Sequence, residues 1–190
     1  MPSFRKGVET SAMLNIEFEV LDFIRQHLRT DFGDVVMPAI SALGDRGMIW
    51  ICLAIILCAL PRYRKSGITM LIALILNLII CNITLKPLIA RMRPFSVHSD
   101  IELLIRAPRD FSFPSGHTAS SFSAAFALMS EKKSVFIPSL ILASLIAFSR
   151  LYLYVHYPSD VLAGILLGLL NGIAAHKIYQ HFEKYLKKAN

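Results

Sequence analysis

Three short polar segments lie at the edges of long apolar runs in this chain. One of them, residues 149–160, carries Arg150, His156 and Asp160. Ionisable groups at the edge of hydrocarbon are costly and usually mark function. Because Pro158 favours the first turn of a helix, we expect His156 just before a helix and Asp160 in its first turn. The carboxylate can then reach the imidazole N–H and orient the ring as a nucleophile.

The other two segments add cations and a second helix start. Lys86 and Arg93 are seven residues apart, and residues 114–117 have the sequence Pro-Ser-Gly-His. Ser115 predicts a helix N-cap, and the free N–H groups of such a helix start bind anions. Gly116 lets an anion approach the backbone closely. Both segments are therefore suited to a phosphate group.

Together the three segments offer three fixed cations, two histidines and one carboxylate. Phosphoryl transfer needs cations that offset charge, and it needs a nucleophile and a proton donor. We predict that His156, held by Asp160, is the nucleophile. We predict that His117 protonates the leaving oxygen and then activates water.

The spacing K-x6-R-P, then P-S-G-H, then S-R-x5-H-x3-D resembles the type 2 phosphatidic acid phosphatase superfamily, which shares its site with vanadium haloperoxidases. Every defining position is present: Lys86, Arg93, Pro94, Pro114, Ser115, Gly116, His117, Ser149, Arg150, His156 and Asp160. The resemblance extends, through the surrounding helix pattern, over most of the chain.

This resemblance implies a helical core with its site at the outer membrane surface, and a phosphohistidine intermediate on His156. It implies no metal and no other cofactor. It also implies that the phosphate is held by Lys86, Arg93, Ser115, Gly116, His117 and Arg150. Size and hydropathy resemble the small bacterial lipid phosphatases that act on phosphatidylglycerophosphate or undecaprenyl diphosphate.

The elements that must position these residues are apolar helices. Hydrophobic residues make up 55% of the chain, against 45–50% in a typical soluble domain, and they cluster in runs of membrane-spanning length. We therefore expect an all-α, polytopic membrane bundle forming one domain over residues 1–190. Five spans are predicted at residues 48–60, 68–85, 115–129, 135–148 and 161–175.

The N-terminal region is amphipathic, and residues 1–30 are predicted as a segment of that kind. Residues 13–29 form a helix too charged to span alone. The helix either lies along the interface or forms the lower part of a first span over residues 17–43. With that span, the bundle has six transmembrane helices and its N-terminus is inside.

The net charge of +7 is better explained by membrane topology, anionic lipid or a phosphorylated substrate than by nucleic acid. Basic residues cluster near the N-terminus, in residues 61–65 and 131–133, and in the C-terminal tail. The positive-inside rule makes that side cytoplasmic. The site then faces the extracytoplasmic side of the plasma membrane, where Arg91, Arg106 and Arg109 are expected to be solvated or to contact headgroups.

A phosphorylated lipid is the expected substrate, and no protein partner is predicted. The helix over residues 115–129 is about 22 Å long, shorter than a hydrocarbon core of about 30 Å, which places its N-terminus near headgroup depth. The lipid remains open among phosphatidylglycerophosphate, undecaprenyl diphosphate and phosphatidic acid. Two alternatives use the same cations: a phosphotransferase with an acceptor other than water, and a lipid transporter.

Overall fold

The computed structural model describes residues 14–98 and 100–189, and every regular element within this range is helical. The predicted all-α fold is therefore confirmed for these residues, whereas the first part of the predicted segment 1–30 lies outside them. In chain order the elements are α1 (14–23) continued by a π-helix (Ile24–Leu28), α2 (Asp31–Leu43), a 3₁₀ turn (Asp45–Gly47), α3 (Met48–Ala59), α4 (Arg64–Asn77) continued by a π-helix (Leu78–Leu85), α5 (Lys86–Ile89), α6 (Pro94–Val97), α7 (Gly116–Ala127), α8 (Lys133–Tyr152) and α9 (Pro158–Ala189).

Helix α7 is the centre of the bundle, and its small Ala and Ser side chains are almost all buried. It packs most extensively on α9, while α8 and α4 cover its other sides. The α9 face toward α7 carries a glycine at every fourth position, at Gly164, Gly168 and Gly172. A Cβ atom on Gly168 would stand 2.5 Å from the Cβ of Phe122. Close helix packing through small residues therefore depends on these glycines.

Three stretches are long and apolar enough to cross a membrane: Arg64–Val97, Lys133–Tyr152 and Pro158–Tyr185. Asp31–Leu43 and Asp45–Ala59 add a fourth if this pair, bent by 43°, forms one broken span. Helix α7 has 12 residues, or about 18 Å, so it is shorter than the predicted span over residues 115–129, and it is enclosed by its neighbours. These candidates support a membrane protein, but the predicted count of six spans is not confirmed.

Helix α1 packs against the residues that connect α8 to α9. Its buried Phe18 and Leu21 contact Tyr154 and Tyr157. The Tyr152 hydroxyl at the end of α8 lies 3.1 Å from the Thr30 backbone nitrogen, which donates to it. The N-terminal helices therefore surround the end of the bundle at which α8 finishes and α9 begins.

Candidate active site

The three polar segments meet at this end of the bundle because each stands where a helix starts or stops. Lys86 directly follows the π-helix that extends α4, and His117 lies in the first turn of α7. Arg150 lies in the last turn of α8, and His156 precedes α9. A π-helix places one more residue in each turn than an α-helix and often occurs at functional sites. The position of this π-helix therefore sets the direction of the Lys86 side chain.

His156 and Asp160 form the predicted pair. The imidazole Nδ1 is 3.3 Å from Asp160 Oδ2, and the two side chains are 1% and 0% exposed. The other ring nitrogen, Nε2, is 3.1 Å from Arg93 Nη1. Because a guanidinium only donates, Nε2 is the acceptor in this contact and the ring proton is on Nδ1. This tautomer puts the lone pair of the ring on Nε2, where attack on an electrophile would replace the contact with Arg93.

Burial and the positive charges of Arg93, Arg150 and Lys86 lower the pKa of His156 well below its ordinary value. His117 acts in the same direction. The ring is therefore neutral at physiological pH, as a nucleophile must be.

Lys86 and Arg93 are both buried, and both bind the carboxylate of Asp110. Lys86 Nζ forms an ion pair with one oxygen, and Arg93 Nη2 lies 2.7 Å from the other. Arg93 Nε also donates to the Asp110 carbonyl oxygen at 2.8 Å, and Nη1 donates to that of Val155 at 2.6 Å. Burial raises the pKa of Asp110, but Lys86 and Arg93 outweigh it and hold that pKa well below its usual range. An anion of the protein thus lies between two predicted phosphate ligands.

The last turn of α2 and the turn that follows it contact the other two groups, Arg150 and His117. Arg150 Nη1 donates to Ser41 Oγ, while its Nε is buried and has no hydrogen-bond partner among the described residues. His117 Nε2 lies 2.8 Å from Asp45 Oδ1. Since a buried N–H without a partner is costly, the free Arg150 Nε can accommodate an additional acceptor such as a phosphate oxygen.

Ser115 is the N-cap of α7, as the sequence predicts. Its hydroxyl oxygen accepts from the Thr118 hydroxyl at 2.9 Å and from the Thr118 backbone N–H. The Ser115 backbone N–H donates to the Asp160 carbonyl oxygen at 3.0 Å, which joins the start of α7 to the first turn of α9. A Cβ atom on Gly116 would lie 3.6 Å from Lys86 Nζ, so the lysine ammonium reaches close to this backbone.

A cavity of about 1040 Å³ opens beside these groups. Lys86, Arg93, His117 and Arg150 line its polar part. Its other wall is formed by apolar side chains of α3, α4 and the π-helix, namely Ile51, Leu71, Leu74, Ile75 and Leu78. His156 is buried behind Arg93. The cavity therefore fits a molecule with an anionic group and an apolar portion.

The family model of the PAP2 superfamily matches residues 66–184. The chain belongs to the PAP2 superfamily. The undecaprenyl-diphosphatase of Sulfolobus acidocaldarius is 37% identical over 164 residues, covering 85% of this chain and 77% of that protein. The crystal structure of Aquifex aeolicus LpxE has a TM-score of 0.74 and 31% identity, over 84% of this chain and 94% of that one.

A second solved structure, the PAP2-type phosphatidylglycerolphosphate phosphatase of Bacillus subtilis, has a TM-score of 0.73 and 28% identity. It covers 95% of this chain and 90% of that one. The resemblance predicted from the motifs is thus confirmed at the level of the family, and the protein is a PAP2 phosphatase.

Sequence reasoning missed several side chains of this PAP2 site. Asp110 and Asp45 bind the predicted cations and His117, and the Ser112 hydroxyl donates to Asp160. The expectation that Arg91 is solvated or contacts headgroups is wrong, because its guanidinium lies against Asp160. Arg106 and Arg109 are exposed and line the cavity. Among these side chains only Arg91 had a signal in the sequence, namely its position two residues before Arg93.

Proposed function

We propose that this PAP2 phosphatase hydrolyses a phosphomonoester or diphosphate on a lipid through a phosphohistidine on His156. The observation that carries the proposal is the buried pair of His156 and Asp160, with Nε2 unprotonated. In the first step His117, which takes up a proton when the phosphate anion binds beside it, gives that proton to the leaving oxygen as Nε2 attacks phosphorus and the P–O bond to the lipid breaks. In the second step His117 takes a proton from water, the hydroxide attacks phosphorus, and the P–N bond breaks to release phosphate.

The charge of the transferred group is balanced by the side chains of Lys86, Arg93 and Arg150, with the Ser115 hydroxyl and the Gly116 N–H group as further donors. Preorganised donors of this kind supply most of the stabilisation that phosphoryl transfer needs. Five fixed groups around one phosphate leave no step that requires a metal or another cofactor. Within the described residues, no group of three or more His, Cys, Asp or Glu side chains is arranged to hold a metal ion.

The apolar wall of the cavity supports a lipid as the carrier of the phosphate. The short helix α7, which sets the depth of His117, is consistent with a site near the headgroups. We propose undecaprenyl diphosphate or phosphatidylglycerophosphate as substrate, with phosphatidic acid as the third candidate, since similar PAP2 proteins bear the first two names.

The proposed location is the plasma membrane, with several spans and the site on the extracytoplasmic face. At the end of the bundle opposite the site, Lys65 lies 3.8 Å from Glu183 of α9. That end also carries the basic residues of the turns at 61–65 and 132–133, which the positive-inside rule assigns to the cytoplasm. Several basic residues at the site end are proposed to bind phosphate, and Arg91 pairs with Asp160, so their position needs no topological explanation. The mechanism requires no protein partner.

The test is phosphate release from each of the three lipids by detergent-purified protein in the presence of EDTA. The proposal predicts release from at least one lipid, unaffected by the chelator. A transporter would bind the headgroup without release, and a phosphotransferase would pass the phosphoryl group to an added acceptor and release little inorganic phosphate. Loss of all release in EDTA that a divalent metal restores would overturn the metal-free mechanism.

A further inference from the structure

Asp160 has a partner on the side away from the histidine. Arg91 Nη1 lies 2.7 Å from Asp160 Oδ1 and 2.7 Å from the Ser159 hydroxyl. The second carboxylate oxygen, Oδ2, accepts from the Tyr157 backbone N–H at 2.9 Å and faces His156 Nδ1. The two oxygens of Asp160 are therefore divided between a cation and the nucleophile.

Arg91 is itself fixed in place by contacts on two sides. Its guanidinium carbon lies 3.9 Å from the centre of the Tyr157 ring, a distance typical of cation–π contacts. Its Nη2 forms an ion pair with Glu17 of α1. Glu17 also accepts from the backbone N–H of Ser159 at 3.1 Å. A chain of contacts thus runs from α1 through Arg91 to the first turn of α9.

The charge of Arg91 has a clear physical use. Asp160 is 0% exposed, and a buried ionised carboxylate is costly unless a cation and hydrogen bonds compensate it. His156 is neutral in the free enzyme and cannot provide that cation. A displaced Asp160 carboxylate would no longer hold the Nδ1–H tautomer or stabilise the charge that the imidazole gains during attack.

We propose that Arg91, held by Glu17, is a positioning residue that holds the Asp160 carboxylate in place and aimed at His156. This inference rests on the proposed function, because it assumes that the pair of Asp160 and His156 performs the reaction. Arg91 is not among the residues that line the cavity. Its loss should therefore lower kcat and leave KM nearly unchanged.

The experiment is a double-mutant cycle of Arg91→Ala and Asp160→Asn, with phosphate release from the lipid measured in detergent. We expect Arg91→Ala to lower kcat about tenfold or more, as loss of groups that orient histidine ligands does, with KM within about twofold. In Asp160→Asn protein the added Arg91→Ala change should lower kcat by less than about twofold, because the carboxylate that Arg91 positions is absent. Equal losses on both backgrounds would overturn the proposal, as would wild-type kcat in Arg91→Ala.

Three further variants separate positioning from packing. Arg29→Ala is the matched control, because Arg29 also pairs with an aspartate, Asp34, and is 29% exposed against 24% for Arg91. It should keep kcat, and an equal loss there would assign the effect to packing. If Arg91→Ala does not fold, Glu17→Gln and Arg91→Lys take its place. Both should lower kcat by less than Arg91→Ala would, and wild-type kcat in both would refute the role.

The split between kcat and KM gives a readout that packing does not move. Loss of Arg91 should lower kcat with KM within about twofold, whereas the Arg29→Ala control should keep both. A rise in KM with unchanged kcat contradicts the proposal. His156→Ala, measured alongside, tests the proposed function separately: wild-type activity in that variant refutes the mechanism itself, whatever Arg91 does.

Discussion

Replacing Asp110 with asparagine should make the enzyme bind inorganic phosphate more tightly. In the structure the Asp110 carboxylate holds Lys86 and Arg93, which are the cations proposed to bind the phosphoryl group. A phosphate that enters the site must displace this carboxylate. The competing anion is thus part of the protein, and its removal should favour the incoming one.

The size of the effect follows from the exposure of the two ion pairs that Asp110 forms with Lys86 and Arg93. The Asp110 side chain is 54% exposed while its partners are 8% and 4% exposed, so each ion pair belongs near the upper end of the exposed range, about 0.5–1 kcal/mol. Two pairs give about 1–2 kcal/mol in total. Since 1.4 kcal/mol is tenfold in affinity, Asp110→Asn should lower the inhibition constant of inorganic phosphate by about 5- to 30-fold.

The assay is competitive inhibition of lipid hydrolysis by inorganic phosphate, at a pH where Asp110 is ionised in the wild type. Glu102→Gln is the control, because Glu102 is an exposed carboxylate on the same connecting segment and does not line the cavity. It should leave the inhibition constant unchanged. An unchanged or raised constant in Asp110→Asn would show that the carboxylate does not compete with phosphate.

Further predictions concern pH, support of Asp160, helix packing and metal. The acid limb of kcat/KM should lie below pH 6.5, the ordinary pKa of histidine. Burial and the charges of Arg93, Arg150, Lys86 and His117 lower the pKa of His156, so the ring stays neutral until a more acid pH. An acid limb above pH 6.5 contradicts this. Ser112→Ala removes one donor to Asp160 and should lower kcat about threefold to tenfold with little change in KM. Gly168→Ala should destabilise the protein by about 1–3 kcal/mol, visible as a lower unfolding temperature in detergent than for Leu170→Ala at an exposed position. Prolonged dialysis against EDTA should leave the rate unchanged, and a loss restored by Mg²⁺ would contradict the cationic site.

The sequence was most informative where one residue type in one local context determines structure. Pro158 starts α9, so the spacing of His156 and Asp160 could be read correctly as a turn followed by a helix. Ser115 caps α7 for the same kind of local reason. The motifs also identified the family, because their spacing reflects one common arrangement of helix ends.

The parts that could not be predicted depend on contacts between distant residues. Glu17 contacts Arg91, which lies 74 positions further along the sequence, and no periodic pattern in the chain predicts that pairing. Asp110 lies in an irregular segment with no local signal for its direction. The span count is not confirmed for a related reason: the turn at residues 45–47, where Arg46 and Gly47 have positive φ, joins α2 and α3 as one bent pair.

The central claim is that His156 carries the phosphoryl group, and trapping the intermediate tests it most directly. Wild-type protein, given its lipid substrate labelled in the phosphate and quenched in base within the first turnover, should contain protein-bound label that acid releases. His156→Asn protein, which keeps a polar group of similar size, should contain none and should release no phosphate above background. Label of equal amount in the asparagine variant, or phosphate release at the wild-type rate, would contradict the mechanism.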